Sequence, residues 1–167
     1  AEPVVSSPAL TPLEGIPIGD IPSARDLGLK PDTCPDRQIG GRDIALNTLH
    51  SFLTKRGEFY RSEMSNPLRG ADACSRLSPY LAWGSVSMRE VMQATWARQL
   101  ELKQAPAGTT GKWRGALTSF SGRLHWHCHF IQKLEDGPAL EFQKLHPAYN
   151  GMRPSDPDAM RLAAWSN

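Results

Sequence analysis

Between Ser87 and Leu100 the chain carries its most restrictive local pattern. Ser87 and Glu90 are spaced as a capping box, in which each side chain satisfies an N–H that the first turn of a helix leaves free. Met88, Val91, Met92, Thr95, Trp96 and Leu100 follow as an apolar stripe of helical period. The pattern predicts a helix over roughly residues 87–103. A β-strand would put these apolar residues on both faces, so this stretch commits its part of the chain to helical packing.

The rest of the sequence agrees in kind. Ala45, Leu49, Phe52 and Leu53 recur at helical spacing after Gly41 and predict a first helix, with Gly57 as its weak point. Ser78 followed by Pro79 reads as an N-cap and first helical residue, giving a short helix over SPYLAW that Gly84 ends. Trp113, Leu117, Phe120, Leu124, Cys128 and Ile131 mark one face of a long helix that stops before Gly137-Pro138, and AMRLAAW starts a last one. No alternating or β-branched run competes, and no internal repeat is present, so the predicted class is all-α. Residues 1–40 hold seven of the fourteen prolines without periodicity and read as a linker or extended segment. Residues 41–167 read as the folded part. The chain starts at Ala1 and ends just after an apolar helical pattern, so both ends read as cut.

A chain of 167 residues can bury one ordinary core. Nineteen basic against seventeen acidic residues neither demand nor exclude a nucleic-acid partner. Three widely spaced cysteines, Cys34, Cys74 and Cys128, argue against a disulfide framework and for a reducing compartment, with the cytoplasm as the expectation. No run has the length and apolarity of a membrane span, and the first residues lack a signal peptide's pattern, so no membrane partner is expected.

Three stretches carry candidate chemistry. In HWHCH, His125 and His129 stand at i and i+4, close enough to share a metal, and a small helical metal-binding module is one reading. The plainer reading is that they are structural, because Cys128 falls on the apolar stripe and no second ligand pair at zinc spacing exists elsewhere; no metal is expected. On another face of the same helix, Arg123, Trp126, His127 and Phe130 form a strip of cation, aromatic and imidazole. Such a strip suits an extruded base or a flat anion, and equally suits packing on a neighbouring helix. Finally, ADACSRLSP sets small hydroxyl and thiol side chains and Arg76 before a helix start, a place for phosphate or for nothing more than a surface ion pair.

Taken together, these residues are recognisable. Cys74-Ser75-Arg76-Leu77-Ser78-Pro79-Tyr80-Leu81, then Trp83-Gly84 and Ser87-Met88-Arg89-Glu90-Val91, resembles the flavin-domain signature of the photolyase and cryptochrome family. Leu124 and Trp126 are similar to that family's L-x-W-R-E-F helix, and Tyr60 with Asn66-Pro67 looks like its approach to the flavin loop. The resemblance runs from about Ile21 to Trp165.

It implies part of a multi-helical FAD-binding domain. Tyr60, Cys74, Ser75, Arg76, Leu77 and Ser78 would contact the cofactor, and Arg123, Trp126 and His127 would face a pyrimidine dimer flipped from damaged DNA. In repair members the reduced, light-excited flavin donates an electron to the dimer, the ring splits, and the electron returns. A cryptochrome-like blue-light sensor without repair activity is the alternative within the family. Cys74 stands where threonine is usual, and His127-Cys128 where W-R-E would continue. The family's α/β antenna-binding domain and the segment after Trp165 have no counterpart, so the chain is expected to be a fragment, inactive alone, of a parent that is monomeric.

Overall fold

The computed structural model describes residues 11, 14–15, 19–152 and 156–166. Among these residues there are helices, turns and irregular segments and no strand, so the all-α expectation holds. The chain divides into two compact units, one ending at Gly122 and one beginning at Arg123. No described helix is long and apolar enough to cross a membrane.

The first unit opens with α1 (Arg42–Ser51). Its apolar spacing turns Ala45 and Leu49 inward. The helix then changes pitch: residues Phe52–Arg56 form a π turn, Gly57–Phe59 a 3₁₀ turn, and Tyr60–Glu63 the short helix α2. Gly57 is the reason this passage can exist. Its N–H donates to the Phe52 carbonyl, five residues back, and a Cβ at Gly57 would stand 2.5 Å from that oxygen and 2.8 Å from the Phe52 ring. The result stacks Phe52, Tyr60 and Phe120 edge to face, with centroids 4.6 to 5.6 Å apart.

After α3 (Gly70–Ala73) and an extended turn comes α4 (Ser78–Ala82). Ser78 was expected to cap α4, but Leu77 is already helical and occupies the cap position, and no side chain caps the end. Leu77 is fully buried, and placing it in the core starts the helix one residue early. The capping box of α5 (Met88–Gln104) forms as expected: the Glu90 N–H donates to Ser87 Oγ at 3.2 Å, and the Ser87 N–H donates to Glu90 Oε2 at 2.8 Å. Arg42 adds a 2.5 Å bond to Glu90 Oε1, tying the start of α1 to the start of α5 and holding the carboxyl down at a pKa of about 2. Only part of the predicted α5 stripe is buried. Val91 and Thr95 are, while Trp96 and Leu100 are 44% and 56% exposed, because the inward face continues to Leu102.

Helix α6 (Trp113–Asp136) follows a loop of irregular residues, as the sequence indicates. Within the first unit, its Trp113, Ala116, Leu117 and Phe120 complete the core. Arg114 donates twice to the Leu102 carbonyl, at 2.7 and 3.2 Å, and Arg98 lies over Trp113 while donating to the Leu53 carbonyl.

The second unit contains residues 123–136 of α6, two 3₁₀ turns (Pro138–Glu141 and Pro147–Tyr149) and α7 (Ala159–Ser166). Here Leu124 is still buried, and beyond it the stripe read from the sequence continues in register but is not covered. Cys128, expected in the core, is exposed, and so is Ile131. Helical period identifies a face, and a face is buried only where another element lies against it.

Candidate functional site

The loop between α3 and α4 is shaped by one side chain. Arg56, half-buried at the end of the π turn, spends all five of its N–H groups on neighbours. Nε donates to Ser51 Oγ at 3.0 Å. Nη1 donates to the carbonyls of Asp72 (2.9 Å) and Cys74 (2.7 Å), and Nη2 to those of Thr48 (3.4 Å) and Ser75 (3.3 Å). The Arg56 guanidinium is held below its ordinary pKa, first by burial and second by the charge of Arg76. Sequence reasoning missed Arg56. The only signal was a basic residue one position before Gly57, next to a second one at Lys55, and nothing local shows which carbonyls such a residue will find.

Because a trans peptide unit points its C=O and N–H in opposite directions, the anchoring has a geometric result. The Cys74 and Ser75 carbonyls turn toward Arg56, so the N–H groups of Ser75 and Arg76 point away from it. The Arg76 carbonyl accepts from Gln38 Nε2 at 2.8 Å, which sends the Leu77 N–H away from Gln38. Arg76 has φ 60 and Leu77 follows in the right-handed region, the kind of pairing that gathers successive N–H groups into an anion-receiving nest. Among the described residues, none of the three N–H groups finds an acceptor, and the hydroxyls of Ser75 and Ser78 make no hydrogen bond. The loop thus carries three main-chain donors and two hydroxyls without a partner among the described residues. They come from its turn, since α4, at five residues, is too short to supply much dipole.

The other expected cofactor residues fall around this loop in different ways. Cys74 is half-buried, and its Sγ lies 3.8 Å from the Met64 carbonyl. Leu77 is core. Tyr60 is buried, with its ring held by Phe52 and Phe120. The Asn66 carboxamide caps the turn before α3 by accepting from the N–H groups of Leu68 and Arg69.

In the second unit, α6 brings Arg123, Trp126 and Phe130 into a row. The Arg123 guanidinium sits 5.6 Å from the Trp126 ring centre, and the Trp126 and Phe130 rings are 6.0 Å apart. Trp126 and Phe130 are 55% and 57% exposed, and His127 is exposed beside them. His125 and His129, expected to be structural, are also on the surface, where the His129 ring rests on Phe130. Among the described residues no group of three or more His, Cys, Asp or Glu side chains is placed to share a metal ion.

The chain is 30% identical over 117 residues to a curated protein of Arabidopsis thaliana, "Blue-light photoreceptor PHR2", an alignment that covers 61% of this chain and 25% of that protein. The chain therefore spans about a quarter of the length of that relative. No protein-family model matches the chain, and no solved structure matches it.

Proposed function

We propose that the chain is the phosphate-receiving part of a helical FAD-binding domain, and that its parent is a photolyase-like flavoprotein that uses light to split pyrimidine dimers in DNA. The observation that carries this reading is the loop of residues 74–78, whose free N–H groups are oriented by Arg56 and Gln38 and which also carries the unbonded hydroxyls of Ser75 and Ser78. A pyrophosphate needs several donors converging on closely spaced oxygens, and a positive-φ turn supplies them without side-chain entropy.

When bound, the reduced flavin supplies an electron on excitation by blue light. The chain's own residues bind and orient. The nest fixes the phosphates, and the Phe52–Tyr60–Phe120 cluster makes the wall at Tyr60 rigid. The Arg123–Trp126–Phe130 strip offers a flat, cation-flanked surface on which an unstacked base can rest, an interaction worth roughly 1 to 3 kcal/mol per base.

Flavin binding is tested by titrating FAD into the chain and following the quenching of flavin fluorescence. Wild type is expected to bind and Ser75→Ala/Ser78→Ala to bind at least ten-fold more weakly; equal binding would remove the two hydroxyls from the site, and no binding by wild type would remove the loop. Repair is tested with the full-length parent, illuminated in the presence of a dimer-containing oligonucleotide. A parent that binds flavin and leaves dimers intact under blue light would move the reading to a light sensor. That second reading is supported by the name of the Arabidopsis relative, a blue-light photoreceptor.

A further inference from the structure

On the side of the loop toward which its carbonyls turn lies a shallow, open cavity of about 480 Å³. Arg37, Arg56 and Arg76 line it together with Asn47, Thr48 and Ser51 of α1. No carboxylate is among its lining residues, and of the six residues expected to contact the flavin only Arg76 is. The N–H groups of Ser75, Arg76 and Leu77 point away from Arg56 and Gln38, both of which face this cavity. The two sides of the loop therefore present different chemistry: backbone donors on one, guanidinium charge on the other.

We propose that this cavity is a second anion site, taking a phosphate group, distinct from the nest assigned to the flavin and independent of that assignment. Arg76 is the main reason. Its side chain makes no hydrogen bond or ion pair among the described residues, and its backbone sits at φ 60, where a residue with a Cβ is strained. A free charge thus stands on a strained residue facing two more guanidiniums. Arg56 has every N–H satisfied by neutral carbonyls and a hydroxyl, and Asp72 supplies part of its counter-charge, so it adds positive field to the site without donating to the ligand. Arg37 pairs with Asp32, which does not line the cavity, in an exposed contact that a phosphate can replace. Ser51 Oγ accepts from Arg56, which leaves its O–H to donate, and the Asn47 carboxamide makes no bond within the described residues. Guanidiniums paired with phosphate oxygens in parallel N–H···O contacts are the strong form of such recognition.

The test is calorimetric titration of the whole chain with inorganic phosphate and, separately, adenosine 5′-monophosphate. Saturable binding that weakens with salt is expected. Arg76→Gly and Arg37→Gln should each lower affinity roughly ten- to hundred-fold, the range of a charged hydrogen-bond contact. Glycine adopts φ 60 freely, so the first variant keeps the loop's shape. The titrations are read with FAD at saturation, so that the nest is occupied and phosphate reports this site alone; phosphate should still bind at one site per chain. Tighter binding of the nucleotide would identify a nucleotide phosphate as the natural ligand, and equal binding a free phosphate; either supports the site. Wild-type phosphate affinity in Arg76→Gly, or loss of all phosphate binding at saturating FAD, would overturn it. A chain that binds phosphate but no FAD would leave this site standing and remove the flavin reading.

Discussion

Replacing Arg56 with methionine keeps most of the side chain's apolar length and removes its five N–H donors. Not all five bonds matter equally. Those to Thr48 and Ser75, at 3.4 and 3.3 Å, are long, and the Asp72 carbonyl is exposed, so water replaces that bond. The bonds to Ser51 Oγ at 3.0 Å and the Cys74 carbonyl at 2.7 Å are part-buried and well formed. Hydrogen bonds to a charged group contribute about 1.5 to 3 kcal/mol each, and some of this is offset because the variant no longer desolvates a guanidinium. A net loss of about 2 to 4 kcal/mol is expected, a large share of the stability of a domain this size. Urea unfolding followed by far-UV circular dichroism measures it, with an unchanged m-value showing that the folded state is otherwise intact. Arg56→Lys should recover only a minor part, since an ammonium cannot reach acceptors arranged around a planar fork. A loss under about 0.5 kcal/mol in Arg56→Met would refute the claim that this residue sets the loop.

Gly57→Ala is expected to cost about 1 to 3 kcal/mol by overpacking, because the new Cβ meets the Phe52 backbone oxygen, which cannot swing aside; the same urea titration checks it. Glu90 links pH to stability. Its folded pKa, about 2, lies below the ordinary 4.5, so its contribution is full above pH 4.5 and is lost as pH falls toward 2. Wild type should therefore lose more stability than Glu90→Gln between pH 5 and pH 2.5, and parallel curves would contradict this. Ser87→Ala should cost about 1 kcal/mol at neutral pH, read from the thermal midpoint, through loss of the capping box. Trp126→Ala should change the unfolding free energy by less than about 1 kcal/mol, because more than half of its surface is already in water.

What the sequence revealed was local. Ser87 and Glu90 could be read because both partners lie within one turn, and Gly137-Pro138 ends α6 where punctuation of that kind should. Gly57 was visible as a weak point but not as the pivot of a π turn, since its necessity comes from the Phe52 ring and carbonyl in three dimensions. Cys128 and Leu100 were assigned inward by a period that continues whether or not anything covers the face. For the loop of residues 74–78, residue types pointed to phosphate. The donors that the structure leaves without an acceptor there are main-chain N–H groups, oriented by an arginine eighteen positions before Cys74 and a glutamine in the segment read as linker.

The π turn at Phe52–Arg56 also fixes how this chain tolerates changes in length. One residue more or less in a helix rotates everything beyond it by about 100°. Deleting a single residue between Phe52 and Gly57 would restore regular winding and swing Tyr60 out of its stack with Phe52 and Phe120. The same deletion would move Arg56 off its carbonyls. The loop of residues 105–112, by contrast, can gain or lose a residue with nothing downstream forced to turn with it. Spacing from Phe52 to Tyr60 is therefore as much a part of the site's specification as any side chain in it, and related chains that share the site should vary in the residues of that stretch before they vary in its count.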